Sequence, residues 1–595
     1  MLQAGPAGRQ SGTQDNGSAV HRAALDWREA AIGLVVLLGA FTTLVSEGLG
    51  LVHALDRPHL LLAWTLFAVA LGVLAWRQHW TARLQPPRLR EWKGQPAIWL
   101  AVAFSYALIL LIVALAAPPN TNDSLQYHMS RVAHWAQQAS LAHYATPISR
   151  QLWMPPFAEI AVLNLYVLAA GDRLVNLVQW MSMVFALVAV SRIAAGLGAK
   201  PNGQAFATLF AATVPMGILQ ATSTQNDYVT ALWVVCLAHY AVQARRTRLT
   251  AVEWGFAAAA VGLGTLTKGT FAGYALPLLV WMGVSAVRLS GWKGSARIAL
   301  LGLTIAVLLN AGAWSRNLRA YGTPLGPIEG ITGHGNTLYS WRAVVSNGLR
   351  NATLHLATPY GDVNGPIKDA VTAIHTWMGL DVNDPRTTMG EYRVKRSFHE
   401  DFAGNPYHFV LIWVSVAGLV WISARRSART GAATVRTAAV YALVVAAQYL
   451  AFALLYKWQA TGSRLQLAFF IASAPAAGLA LERLQTATLP RRLGAAAANG
   501  VTVLLVLTSL RPLWINPSRP LLPRPEDGIS LANTSRQEML FINTPELMPG
   551  YLPLIEAASG LECSALGLKI DSSHPEYPFW AFLAPPGSGV RLDHI

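Results

Sequence analysis

Charge is what this sequence has least of. Asp, Glu, Lys and Arg make up 12% of its 595 residues, about half the share of an ordinary soluble chain. Hydrophobic residues supply 53%. A soluble globule is thereby excluded, and most of the chain belongs in lipid. Acids are scarcer than bases, 29 against 45, leaving a formal net charge of +16. The bases gather in short clusters between apolar runs, which is how membrane topology is encoded, so no nucleic-acid partner is expected. Cysteine is nearly missing. Cys236 stands in an apolar run and Cys563 near the C-terminus, which excludes a disulfide framework. The polar stretch from Met1 to Arg28 has no apolar core of its own and reads as a cytoplasmic tail, not a cleaved signal peptide.

What is abundant is apolar sequence in runs close to the spanning length of about 20 residues. Such runs begin near Ala30, Leu60, Ala97, Leu174, Ala205, Tyr228, Val252, Phe271, Ile298, Phe409, Ala438, Leu465 and Leu493, predicting an α-helical polytopic membrane protein with about thirteen transmembrane helices. Arg77, Arg83, Arg88, Arg90 and Lys93 share one connecting loop, and Arg245, Arg246 and Arg248 a second. Arg288, Lys293 and Arg297, then Arg425, Arg426, Arg429 and Arg436, then Arg483, Arg491 and Arg492 form three more clusters. All of them fall on one side if the N-terminus is cytoplasmic and the C-terminus outside. That agreement requires the apolar stretch 157–170, at about 14 residues too short for a comfortable span, to lie in the interface as a re-entrant or juxtamembrane helix. The expected layout is a multi-pass plasma (inner) membrane protein with a cytoplasmic tail over 1–29 and a membrane domain over 30–510. Its outer loops are 118–172 and 317–408, and a small extracytoplasmic α/β module occupies 511–595.

Chemistry-bearing residues cluster at span ends on the outer side. Asn122-Asp123-Ser124 opens the first outer loop with helix-capping residue types. On the helix expected to start there, Asp123, Tyr127 and Arg131 are each one turn apart and share a face beside His128. Asp123 therefore has two readings, a helix cap or the carboxylate of a site, and caps are the commoner of the two. Asn226-Asp227 brings a second acid to the same side, again either an interfacial cap or a site residue. Lys268, Arg316 beside Asn317, Arg319 and Arg464 are cations on the side that membrane proteins usually keep free of them. They either snorkel to lipid phosphates or meet an anionic ligand. His128, His134 and His143, and the later His399-Glu400-Asp401, make a divalent cation an option, although linear spacing shows no convergence of ligands. Trp135 and Trp153 read as interface anchors, and Glu576 with Tyr577 as packing residues of the tail.

Taken in order, Asn122-Asp123-Ser124, Met154-Pro155-Pro156, Asn226-Asp227, Thr267-Lys268-Gly269, Trp314-Ser315-Arg316-Asn317, Tyr321-Gly322-Thr323-Pro324 and Ser463-Arg464 resemble the GT-C glycosyltransferases of the glycosyltransferase family 39 type, similar to protein O-mannosyltransferases and lipid A aminoarabinose transferases. The resemblance covers residues 97–510. It implies a GT-C-like fold and transfer of a sugar from a polyprenyl-phosphate donor to a lipid, glycan or protein acceptor outside the cytoplasm. By the same resemblance Asp123 is the catalytic base, Asp227 a second acid of the site, and Lys268 and Arg464 the phosphate contacts. Tyr127, His128, Arg131, Arg316 and Asn317 are the further substrate-binding candidates. The chain departs from many relatives in carrying Asn122-Asp123 where they have two adjacent acids, and in two additional leading spans.

A polyprenyl phosphate leaves without protonation, so one carboxylate suffices to take the acceptor's proton, with cations to stabilise the departing charge. Such a single displacement inverts the anomeric configuration, unlike a covalent two-step route. No cofactor beyond an optional divalent cation is expected. A transporter or lipid-carrier flippase without transferase activity is the different-class alternative. It predicts ionisable groups at the membrane midplane and repeated halves, whereas the charges here sit at span ends and no duplication is evident.

Overall fold

The computed structural model describes residues 25–85, 92–425, 432–487 and 490–595. Residues 1–24 of the expected tail lie outside the described residues, as do Arg88, Arg90, Arg426 and Arg429 of the basic clusters. With no water in the hydrocarbon layer, each apolar run must satisfy its own backbone, which selects helices. Each predicted span start falls in or beside one. Among the described residues nine helices are long and apolar enough to cross a membrane: Trp27–Leu51, Arg57–Arg77, Gln95–Ala116, Leu177–Gly196, Phe271–Tyr321, Pro406–Arg425, Thr434–Leu455, Leu467–Gln485 and Arg492–Trp514. The protein is a helical multi-pass membrane protein.

The difference from about thirteen has physical causes. The runs at Phe271 and Ile298 form two helices, as expected, that adjoin without a loop at Gly291, whose φ of 67° and ψ of 176° are not helical but cost glycine no penalty, so the 51-residue stretch Phe271–Tyr321 holds two of the expected runs. The run at Ala205 is interrupted: Pro201–Ala212 stops, and Pro215 opens a second short helix, Pro215–Gln220. Asp227–Arg246 has 20 residues but carries Asp227, Thr230, His239, Gln243 and two arginines. It is buried along nearly its whole length at the centre of the bundle, so its polar groups face protein, not lipid. Ala251–Thr267 has 17 residues. The stretch expected to lie in the interface forms Phe157–Leu168, a helix of 12 residues that packs on Trp27–Leu51 and on the outer helix Met129–Gln138.

Among the described residues two large cores form beside a small cluster of Val371, Tyr392 and Trp458. One joins the membrane helices. The other joins the 118–172 loop to the C-terminal tail: Leu125, Val132, Trp135 and Tyr166 pack with Phe541, Tyr551, Trp580 and Leu592. Trp135 is only 3% exposed and belongs to this core, so its reading as an interface anchor is corrected. The tail contributes the helices Met548–Ser559 and Tyr577–Leu583 and a parallel pair of strands, Ala565–Leu568 with Arg591–His594. Helix polarity assembles the site. Thr224, just ahead of Asp227–Arg246, donates to the Ser124 hydroxyl beyond Gln95–Ala116 at 2.6 Å; Lys268, at the end of Ala251–Thr267, reaches Asp227; and Arg464, just ahead of Leu467–Ala487, reaches Asp123. Arg245 and Arg246 close the opposite end of the helix that Asp227 opens.

Candidate active site

Asp123 lies just beyond the Gln95–Ala116 helix, and its side chain caps no helix. Thr121 takes that role: its hydroxyl accepts the Ser124 amide at 3.0 Å and sits 2.5 Å from the Ser124 hydroxyl. The Asp123 carboxylate is left for Arg464, which stands in a short turn between Thr434–Leu455 and Leu467–Ala487. Arg464 Nη2 donates to Asp123 Oδ2 at 2.5 Å, and Arg464 Nη1 donates to Asp401 Oδ1 at 2.7 Å. One guanidinium fork thus bridges carboxylates from two loops far apart in the chain. Arg150 Nη1 approaches Asp123 Oδ1 to 3.9 Å, and its guanidinium lies over the Tyr127 ring, 5.4 Å from the centroid. On the other side Lys268, in extended conformation at the end of Ala251–Thr267, donates from Nζ to Asp227 Oδ1 at 2.6 Å. Lys268 lies within electrostatic range of both Arg464 and Asp123.

These charges set the protonation states. Burial alone pushes the Asp123 carboxyl up, but the Arg464, His128 and Arg150 charges outweigh it and hold the group well below the usual carboxylate range. Asp401 goes the other way. Burial, with Glu400 and Asp123 nearby, raises its carboxyl despite Arg464. The Tyr127 phenol is raised far above its ordinary value by burial and by the Asp123 and Glu159 carboxylates, so it stays protonated. Several buried polar atoms around this centre have no partner: Asp227 Oδ2, Asn226 Oδ1, Gln225 Oε1 and Arg464 Nε. Buried polar atoms are almost always satisfied, so such a concentration is a polar lining suited to a ligand. A divalent cation at Asp123 would have to displace Arg464 from it.

The structure brings Asp123, Asp227, Lys268 and Arg464 together and leaves other candidates elsewhere. His128 is 2% exposed, and its Nδ1 stands 2.7 Å from Glu159 Oε1. Arg131 is fully buried, 3.5 Å from Glu159 and bonded to the carbonyls of Gln151 and Arg150. It supports the turn that carries Arg150 and does not face the acids, which corrects the shared face expected for Asp123, Tyr127 and Arg131. The cause is local: Ser124–His128 is a π-helical turn, which rotates the Met129–Gln138 helix away from the i, i+4 register of a continuous α-helix. Arg316 forms a two-pronged pair with Glu47, at 2.7 and 2.8 Å, and Asn317 Nδ2 donates to the carbonyls of Trp153 and Pro324 at 3.0 and 3.2 Å. Both tie the entrance of the 317–408 loop to the bundle. Of His399, Glu400 and Asp401, only Asp401 bonds Arg464; His399 stays beside it, with Nδ1 3.7 Å from Asp401 Oδ2, and also meets Asn543, while Glu400 turns away to pair with fully buried Arg519. Arg150 and Glu159 escape sequence reasoning, and Asp401 is singled out there only as part of an optional cation site. Glu159 alone has a visible signal, a single acid in an apolar helix.

No family model matches the chain, and a search of curated proteins finds no relative. Among solved structures it is similar to ArnT from Cupriavidus metallidurans bound to undecaprenyl phosphate, with 15% identity over 83% of this chain and 85% of that one and a TM-score of 0.43. It is also similar to the Archaeoglobus fulgidus oligosaccharyltransferase in the apo form, with 13% identity over 85% of this chain and 65% of that one and a TM-score of 0.41. Identity this low says nothing of individual site residues, which stand on their own geometry.

Proposed function

We propose that this protein is a GT-C-type membrane glycosyltransferase that moves a sugar from a polyprenyl-phosphate donor to an acceptor hydroxyl on the extracytoplasmic face. The observation that carries the proposal is the Asp123–Arg464–Asp401 bridge with the Lys268–Asp227 pair beside it. Carboxylates and cations are poised there in a lining of unpaired polar atoms, between an apolar helix bundle and polar loops. The order of motifs along residues 97–510 supports the same reading. Orientation with the N-terminus cytoplasmic and the C-terminus outside is supported by Arg245 and Arg246, which lie at the opposite end of the helix from Asp227.

In the resting arrangement Asp123 is a poor base, because Arg464 stabilises its ionised form. A donor phosphate changes that balance. Its phosphodiester monoanion competes for Arg464 and Lys268, and each contact it takes loosens the hold on Asp123 or Asp227. Asp123 then accepts the proton of the acceptor hydroxyl as its oxygen bonds to the anomeric carbon. The bond from that carbon to the phosphate oxygen breaks, and its electron pair leaves on the polyprenyl phosphate, where Arg464 and Lys268 stabilise the added charge. One displacement inverts the anomeric centre. Arg150, held by Arg131, positions Tyr127 and steadies Asp123.

The test uses purified protein in liposomes and a panel of polyprenyl-phosphate sugars, with release of polyprenyl phosphate in the presence of a membrane extract as the readout. Asp123→Asn is expected to lower transfer by at least about a hundredfold, within the range of general-base contributions, while the protein stays monodisperse. Undiminished transfer by the folded variant refutes Asp123 as base.

A further inference from the structure

Away from the acid cluster, three metal-ligating side chains from distant parts of the chain meet where the tail docks on the first outer loop. His134 comes from the helix Met129–Gln138, Glu576 precedes the helix Tyr577–Leu583, and His594 is the penultimate residue, in the strand Arg591–His594. Their ligand atoms all lie within 4.8 Å of one another. His134 Nε2 stands 2.7 Å and His594 Nε2 3.3 Å from the same oxygen, Glu576 Oε1. The side chains are 6%, 0% and 6% exposed, respectively for His134, Glu576 and His594.

Hydrogen bonding alone leaves this cluster unsatisfied. Glu576 Oε1 already accepts from Trp580 Nε1 at 2.8 Å and faces His134 Nε2. An oxygen offers two lone pairs, and His594 Nε2 is left buried without a hydrogen bond although it is aimed at the same atom. A cation at this point resolves the crowding, since two neutral imidazoles and a carboxylate each offer it a lone pair. Two His and one Glu is a ligand set that suits zinc, with bonds of about 2.0–2.2 Å to nitrogen and oxygen, so neighbouring ligand atoms belong about 3.3 Å apart in a tetrahedron. The His594 distance already has that value, and the shorter His134 contact opens by a small ring movement. The outer support is also present: Glu576 Oε2 accepts from Gln151 Nε2 at 2.6 Å, fixing the carboxylate as ligating carboxylates are commonly fixed.

We propose that His134, Glu576 and His594 bind one divalent transition-metal ion of the zinc class, which clasps the C-terminal tail to the loop that carries Asp123. The backbone around the cluster is arranged for such a clasp. Glu576 N donates to the Leu125 carbonyl at 3.0 Å, Gln126 Nε2 to the Ser573 carbonyl at 2.8 Å, and Gln137 exchanges two hydrogen bonds with Leu592 at 3.0 and 2.9 Å. Binding the ion fixes the end of the chain and, through Leu125 and Gln126, the turn next to Asp123. The inference is independent of the reaction proposed for the acid cluster.

Metal content and cobalt spectroscopy test it on the full-length protein. Protein stripped with a chelator and then titrated with Zn²⁺ is expected to retain about one equivalent after desalting, for one site with three protein ligands. Co²⁺ in its place is expected to give the intense visible absorption of a four-coordinate ion. His594→Gln and Glu576→Gln are both expected to lose the equivalent and the spectrum. Wild-type protein that retains no zinc, or a His594→Gln variant that binds zinc and cobalt as wild type does, overturns the proposal.

Discussion

At the scale of single residues, Arg464 is the hub. Its planar fork reaches Asp123 with one nitrogen and Asp401 with the other, which a lysine, a compact point charge, cannot reproduce. The two carboxylates respond oppositely to pH. Asp123 stays ionised in the free protein because its carboxyl is held low, so loss of the base does not produce an acid limb in kcat/KM. Asp401, raised by burial and by its acidic neighbours, keeps its proton to a higher pH than an ordinary carboxylate. Protonated Asp401 leaves one arm of Arg464 to the donor phosphate, and ionised Asp401 competes for it. The KM for donor is therefore predicted to rise as pH climbs through the raised titration of Asp401, by on the order of tenfold, the worth of one charge-assisted hydrogen bond, while Asp401→Asn abolishes the step. A flat wild-type profile, or the same step in Asp401→Asn, contradicts this. Asp123, Asp227, Lys268 and Arg464 were legible in the sequence because each interrupts or ends an apolar run, where a charge needs a reason. Asp401 was legible only as part of an optional cation site. It sits in a long polar loop beside Asp384, Glu391 and Glu400, and nothing in spacing separates the acid that meets Arg464 from those that cap turns or pair locally.

At the scale of elements, close helix contact holds the bundle around the site. A Cβ added at Gly478 would stand 2.2 Å from the Gly203 carbonyl oxygen and 2.9 Å from the Ala207 nitrogen, both backbone atoms that cannot yield. The helices Pro201–Ala212 and Leu467–Ala487 thus touch backbone to backbone, the packing that small residues permit in membranes. Glu482, one turn on, accepts the amides of Lys200 and Gly203 at 2.8 and 2.9 Å and so caps the neighbouring helix. Gly478→Ala is predicted to destabilise by about 1–3 kcal/mol through overpacking, lowering the thermal midpoint in detergent. Gly500→Ala, whose Cβ meets nothing within 4 Å, is predicted not to lower it. Equal midpoints for the two variants would show that the contact is not tight. Apolar runs announced where helices begin, but not how they break. Pro215 splits one run, Gly291 joins two helices directly with no loop between them, and the π-turn at Ser124–His128 shifts a register that spacing assumes to be α-helical. Each depends on local backbone geometry that hydrophobic periodicity does not encode.

At the scale of the whole molecule, the tail and the first outer loop form one core above the bundle, and five segments widely spaced along the chain deliver Asp123, Asp227, Lys268, Asp401 and Arg464 to one end of it. In the proposed function, that convergence lets a lipid-borne anion meet fixed cations where hydrocarbon gives way to water. Its most direct test is the binding of polyprenyl phosphate to purified protein, measured by native mass spectrometry across a titration. Wild-type protein is predicted to bind one molecule, Arg464→Gln to bind at least about tenfold more weakly for loss of a charge-assisted contact, and Asp123→Asn to bind at least as well as wild type because a competitor for Arg464 is gone. Binding by Arg464→Gln as tight as wild type would contradict the account.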